Sequence, residues 1–591
     1  MLWLPELNRG NQTRTMTEVF GGYNRNLKII EGEWFDEKNL SSDHYPLFAE
    51  RRKRGLYHTG ADTIHGIIAK DALAWVEGGR LYYNGYAIDG ITLSEEEDML
   101  PKQLVSMGAY LCIFPDNVYF NTQDHTDSGY MGARFSMESN ISYTPCRIDG
   151  TAYENVAEVK PASPANGDLW LDISGDIHVL KQWNEATGMW TDIPTVYVKI
   201  TWEDLPTANP SGIDSLFKVY DGVNLSGMAG TDQIAALNGD VILQGAGANY
   251  IIIVGMIDRA YTQENASVTI ERKIPKLDFV CESGNRLWGC FYGMHEGKML
   301  NQIFASKLGD FKNWNCFMGI ASDSYAVSVG SDGPFTGAIT YLGYPTFFKE
   351  NCIHKVYGSM PSSYQVQTNQ VRGVQRGSEK SLAILNEILY YKSMTDICAY
   401  DGSLPTGISH QLGGVMYKNA CAGAVNGRYM VSMQDMDGGW HMFAYDPIRG
   451  IWHREDDVQA VGFTHWGHEL YFIDAAKNAI MTAFGTEGAP ENTIHWYAES
   501  GLIGYEMPDR KYVSRFNLRM KLEKDAMVGL SLEYDSDGIW HNQGTVTGKG
   551  TDAFVYPVIP RRCDHFRIRL EGQGSVRIYS LTKILEQGSD A

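Results

Sequence analysis

From about Ile64 the chain alternates short apolar runs with turn residues. Ala72-Leu73-Ala74-Trp75-Val76-Glu77 is closed by Gly78-Gly79, and Arg80-Leu81-Tyr82-Tyr83 passes through Asn84-Gly85 into Tyr86-Ala87-Ile88. Asn-Gly between apolar runs is a strong hairpin signal, because both turn positions need positive φ. Gln103 to Ser106, Ala109 to Phe114 and Val118 to Phe120 form a second set, broken by Gly108 and Pro115-Asp116-Asn117. The same grammar returns at Gly284 to Trp288, Gly427 to Met430 and Gly467 to Phe472, and Trp follows a turn at Trp440, Trp452 and Trp540. Four short strands every 40 to 50 residues, repeated irregularly, is the pattern of a β-propeller. A pair of stacked sandwiches is the rival architecture.

Three stretches depart from this pattern. Between 141 and 275, Pro161 to Gly167 reads as a linker, while Asp168 to Ile173, Thr195 to Trp202 and Tyr250 to Val254 read as strands. A small β-rich domain inserted in a propeller loop accounts for it, since surface insertions cost little closure entropy. Glu379 to Tyr390 reads as a helix or, because its centre is apolar at almost every position, as a buried strand. In the last hundred residues Phe516, Leu518, Met520 and Leu522 alternate with polar neighbours, as do Phe566, Ile568 and Leu570. That is the mark of a half-buried antiparallel sandwich. The expected fold class is therefore all-β: a β-propeller with an inserted small β-rich domain and a C-terminal antiparallel β-sandwich. The expected order is an N-terminal arm and docking segment (1–55), a first propeller segment (56–140), the insertion (141–275), a second propeller segment (276–490) and the sandwich (491–591).

Composition agrees with a β-built body. Of 591 residues 43% are hydrophobic, with 14 Trp, 34 Tyr, 22 Phe and 62 Gly, so the bulk is not disordered. The net charge of −21 repels phosphate backbones and argues against sequence-reading nucleic-acid binding. The longest clearly apolar run, Tyr250 to Met256, is too short to span a bilayer, and the first residues lack the pattern of a signal peptide. The nine cysteines are scattered without Cys-x-x-Cys, as expected of reduced, buried thiols.

No motif predicts chemistry. His465 and His468 sit in a strand–turn context, and Asp435-Met436-Asp437-Gly438 and Asp535-Ser536-Asp537-Gly538 lack the later ligands of a calcium loop. Gly245-Ala246-Gly247 and Gly544 to Lys549 fall short of nucleotide fingerprints. The expectation is no enzyme: no catalytic residues, no cofactor and no metal. Trp170, Trp183, Trp190 and Trp202 suit either buried packing or, if exposed, stacking on sugar rings. In an acidic chain the basic clusters stand out, so Arg51, Arg52, Arg54, Arg561 and Arg562 are candidate contacts to acidic neighbours.

Four stretches carry a family resemblance. They are Phe20-Gly21-Gly22-Tyr23-Asn24 through Glu33 to Ser41 and Tyr45-Pro46-Leu47 to Gly55; Asn285 to Cys290 with Ala305 to Trp314; Pro345 to Glu350 through Ile353 to Gly358; and Pro557 to Arg567. On these the chain resembles the nozzle, or tail tubular protein B, class of bacteriophage tail ring proteins. Gly167 to Asp172, with Trp183 and Trp190, is similar to small modules of phage tail proteins generally. The resemblance implies a virion protein made in the host cytoplasm. It would form a homo-oligomeric ring of roughly six copies closed head to tail around an axial channel that retains and releases DNA. It would contact portal, adaptor or other tail proteins, and DNA would pass without specific binding. The alternative is a phage adhesin that recognises host surface glycan or protein.

Overall fold

The computed structural model describes residues 12–95, 102–175, 178–193, 196–207, 211–505, 507, 510–548 and 550–587. Residues 1–11 of the expected arm, Thr195 and Lys549 lie outside them. Among the described residues, seven antiparallel sheets follow one another along the chain and close into a ring. Blades one and two span Ile64–Ala69 to Tyr86–Ala87 and Gln103–Met107 to Gly129–Tyr130; blades three to six run from Phe279–Glu282 to Ile451–Asp456. The seventh contains Ala460–Trp466, Glu469–Asp474 and Ala479–Thr482, and its fourth strand is Gly55–Thr59 from the other end of the chain. This pairing locks the ring, and the inner strand of blade seven lies against that of blade one.

Each neighbouring pair of blades encloses its own apolar cluster. Trp75 meets Tyr471 and Ile480 between blades one and seven, Trp314 and Phe311 pack between two and three, and Trp452, Tyr429 and Phe443 pack between five and six. Burying each such ring contributes about 1.5–3 kcal/mol. The turns obey the expected chemistry: Asn84 and Gly85 have φ of 50° and 82°, and Asn426 and Gly427 have 51° and 73°. The segment expected as helix or strand is a hairpin. Ala383–Leu385 pairs with Ile388–Lys392 around Asn386 and Glu387, both at positive φ, after a single 3-10 turn at Glu379–Ser381. All nine cysteines are buried free thiols.

The insertion leaves blade two and returns to blade three. Ala133–Cys146, Tyr197–Trp202, Tyr250–Val254, Gly239–Gly247, Gly222–Ser226 and Tyr261–Arg272 close into a barrel filled by Trp202, Ile200, Ile251 and Val268. Within the connection from Cys146 to Tyr197 sits a separate four-stranded sheet, Asn155–Ala157 to Met189–Ile193. The barrel is fixed to blade three by buried polar contacts. Asp221 accepts from Arg272 Nη1 at 2.7 Å and from Asn313 Nδ2 at 2.8 Å.

Residues 495–587 form a sandwich, and residues 12–49 of the segment expected as a docking arm belong to it. Gln12–Thr17 and Phe48–Ala49 pair with Val576–Gln587 in one sheet, while Glu33–Lys38 pairs with His495–Ser500 in the other. Phe20, Trp34, Phe48 and Trp496 pack together in its core. Burial of these four rings, which sequence separation hides, is what draws the N-terminal segment into the sandwich.

Candidate functional site

Residues 33–59 thread from the sandwich across blade six into the edge of blade seven, and charged side chains line the crossing. Glu33–Lys38 faces Ile451–Asp456, the outer strand of blade six. Glu37 is completely buried; its Oε1 lies 2.8 Å from His453 Nδ1 and accepts from the Arg454 amide at 3.1 Å, while Oε2 has no partner among the described residues. Burial pushes the Glu37 carboxyl up, against the pull of His453.

Two of the five candidate arginines lie inside this crossing. Arg54 is 2% exposed and its guanidinium reaches Glu455 at 2.7 Å and Asp456 at 2.6 Å, 5.1 Å from the centre of the Phe472 ring. Arg51 donates to Asn39 Oδ1 at 2.8 Å and pairs with Glu491 and Asp456. Glu491 also accepts from the Arg54 amide at 2.8 Å. Burial opposes ionisation of Glu491, yet Arg51 and Arg54 hold its carboxyl below the usual range. The expectation that Arg51 and Arg54 contact a neighbouring molecule is therefore corrected: both serve the chain's own acids.

The remaining candidates are at the surface. Arg52 is exposed and pairs with Asp43 at 2.9 Å; Arg428 joins Asp43 from blade six at 3.0 Å. Arg561, on the sandwich, reaches Asp537 at 3.2 Å and His541 at 2.8 Å and lies over the Tyr534 ring. Arg562 is exposed beside it. The structure thus separates the five into an inner pair and outer positions in two regions. The partners of the inner pair were missed in the sequence, although the dense run His453-Arg454-Glu455-Asp456-Asp457 is a visible complement to Arg51-Arg52-Lys53-Arg54.

One opening adjoins this framework, and another lies apart from it on the propeller. One, of about 730 Å³, lies at the propeller–sandwich junction and is lined by Lys38, Arg51, Glu491, Trp496, Arg569 and Glu571. The other, of about 490 Å³, is beside the inner strands of blades two to four and contains Gln103, Asp278, Tyr292, Arg376, Glu379 and Lys380. Burial raises the Asp278 carboxyl, although it accepts from the Tyr292 amide at 2.9 Å. A carboxyl of this kind can hold or release a proton at higher pH than a surface one. Among the described residues no three His, Cys, Asp or Glu side chains are grouped to hold a metal. His465 lies near the end of the inner strand of blade seven, Ala460–Trp466, and Asp435 accepts from the Asp437 and Gly439 amides of a hairpin turn. No helix among the described residues is long and apolar enough to cross a membrane.

No protein-family model and no curated protein matches the chain. Among solved structures it is similar to an exo-β-1,3-galactanase variant from Phanerochaete chrysosporium with β-1,3-galactotriose: 11% identity, 51% of this chain, 94% of the other, TM-score 0.22. An engineered GH43 glycoside hydrolase with endo-xylanase and exo-arabinofuranosidase activity gives 9% identity over 53% and 97% of the two chains, at a TM-score of 0.19. A Trypanosoma rangeli sialidase gives 10% identity over 98% and 97%, at 0.16. These neighbours are enzymes, so the expectation that this chain is not one is withdrawn and catalysis is left open. At such TM-scores the likeness carries no argument for a particular activity.

Proposed function

We propose that the chain is a structural subunit of a bacteriophage tail, assembling head to tail into a ring around the channel through which DNA is retained and ejected. The observation that carries this reading is the double use of residues 12–59, which complete the sandwich and then close the propeller. A body tied in this way transmits force between its two halves without a flexible joint, as a conduit wall must. The stretches that resemble the tail-nozzle class occupy framework positions. Phe20 and Trp34 are in the sandwich core, Arg286 is 2% exposed and donates to the Ser306 and Ala321 carbonyls at 2.7 Å, and Trp314 is buried between blades.

The charge of −21 suits a wall past which a polyanion slides, because a basic wall would hold DNA with a steep salt dependence. On this reading the partners are further copies and neighbouring portal, adaptor or tail proteins. The protein is made in the host cytoplasm and ends in the virion. Arg52, Arg561 and Arg562 remain as surface candidates for those contacts. Electron-microscope images of the purified chain, alone and with its tail partners, test this: closed rings are expected. Monomers that never join rings or tails, while still binding host cells, would replace the conduit by an adhesin.

A further inference from the structure

The sheet Asn155–Ala157 to Met189–Ile193 inside the insertion has two unlike faces. On one, Leu169, Leu171, Leu180 and Ile193 pack with Tyr153 and Val196 as its small core. The register places Trp170 opposite Lys181, Lys181 opposite Asp192, and Trp183 opposite Trp190, all on the other face. There Trp170 is buried, its indole N–H donating to the Ala157 carbonyl at 2.8 Å. The Lys181 ammonium lies 5.3 Å from the centre of the Trp170 ring and 2.8 Å from Asp172.

Trp183 and Trp190 are only half-buried. Their rings lie 5.4 Å apart at 58°, and Trp190 meets Trp170 edge-on at 5.4 Å. Among the described residues the apolar core of this sheet does not extend to them. Three indoles on one short sheet, two of them turned partly to water, form an angled aromatic surface beside the carboxylates of Asp172 and Asp192. Such surfaces on soluble proteins mark binding sites when they are contiguous.

We infer that this face binds a neutral pyranose glycan: the Trp183 and Trp190 rings cover the C–H faces of sugar rings, and Asp172 and Asp192 accept from hydroxyl groups. Charge selects this occupant. Residues 133–272 contain 8 Lys and Arg against 18 Asp and Glu, a net charge of 8 − 18 = −10, which repels sialylated, uronic-acid and phosphorylated chains. An apolar protein surface is a poorer match for the acceptor carboxylates, which need donors, whereas each pyranose ring carries both C–H faces and hydroxyl donors. The inference goes beyond the ring role and stands without it, since a site on an inserted module serves a conduit or an adhesin alike.

The test is titration of the full chain with maltopentaose and cellopentaose, followed by tryptophan fluorescence, with oligogalacturonate as the anionic control. A saturable change with at least one neutral oligomer is expected, none with oligogalacturonate, and at least about tenfold weaker binding in the Trp183→Leu/Trp190→Leu double variant. Should that variant fail to fold, Trp183→Phe, which keeps a ring opposite Trp190, is expected to bind several-fold more weakly. Absence of saturation with both oligomers at about 10 mM, equal binding of oligogalacturonate, or unaltered affinity in a folded variant overturns the inference. Ring formation, imaged separately, is expected to be the same in all variants.

Discussion

Arg54→Met removes the cation at the crossing and leaves a side chain of similar length. Glu455 and Asp456, with side chains 10% and 14% exposed, then lose their partner at 2.7 and 2.6 Å. Breaking a buried ion pair from one side costs about 3–5 kcal/mol, because the stranded charge is not rehydrated. Arg51 still lies 3.6 Å from Asp456, which places the expected cost near the low end, about 3 kcal/mol. A chain of several units does not unfold in one step, so the local readout is hydrogen exchange of the Gly55–Thr59 amides that pair with Ala479–Thr482. At 1.36 kcal/mol per decade, about 3 kcal/mol is roughly a 150-fold faster exchange in this strand. Amides of blade four serve as the internal standard. Arg54→Lys keeps one contact and is expected to accelerate exchange about tenfold. If exchange at 55–59 in Arg54→Met stays within threefold of the parent, the arginine does not hold the seventh blade, and the account of the crossing is wrong.

Other expectations follow from the same contacts. A Cβ at Gly55 would collide with the Glu487 carbonyl oxygen and with Thr482 Oγ1, so Gly55→Ala should destabilise blade seven by about 2 kcal/mol or more and lower the thermal midpoint. Because burial raises the Asp278 carboxyl above its ordinary 3.8, the folded state binds that proton more tightly than the unfolded one. Its contribution is therefore most favourable at low pH and is lost as pH rises through the folded-state value. Asp278→Asn should accordingly gain stability over the parent as pH rises from 3 towards 7, and an unchanged difference in urea midpoints across that span would contradict this. All nine thiols are buried, and burial raises several, Cys281 to about 12; a maleimide counted by mass spectrometry should label none in the native chain and all after denaturation.

The propeller was legible because its signals are local: Asn84-Gly85 and Asn426-Gly427 state their turns within two residues. The C-terminal strands were legible for the same reason, since alternation at Phe516 to Leu522 shows a wet and a dry face directly. The strands Gln12–Thr17 and Glu33–Lys38 were not, because what makes them strands is a partner more than 450 positions away and their own residues are mostly polar. The 379–390 segment left helix and strand open because Glu387, at φ 67°, occupies a turn position that glycine or asparagine normally marks. The basic cluster was visible, but charge in a sequence does not say whose acids it meets. Asp456 and Glu491 answered for Arg51 and Arg54, and nothing near either arginine in the sequence announces them. Of the indole-bearing sheet, the sequence showed the tryptophans, whereas their shared face needed the register.

The strand that fastens the ring also dictates when the protein can be finished. Gln12 lies opposite Glu586, and Gly55 opposite Thr482, so residues 12–59 have no lasting partner until the ribosome has made those distant strands. At about 5–20 residues per second, that segment waits roughly half a minute to two minutes with Phe20, Trp34 and Phe48 uncovered. Blades two to six, whose strands are neighbours in sequence, can form during that delay; the fastening cannot. The fastening therefore comes last, when residues 12–17 meet 581–586 and residues 55–59 meet 479–482.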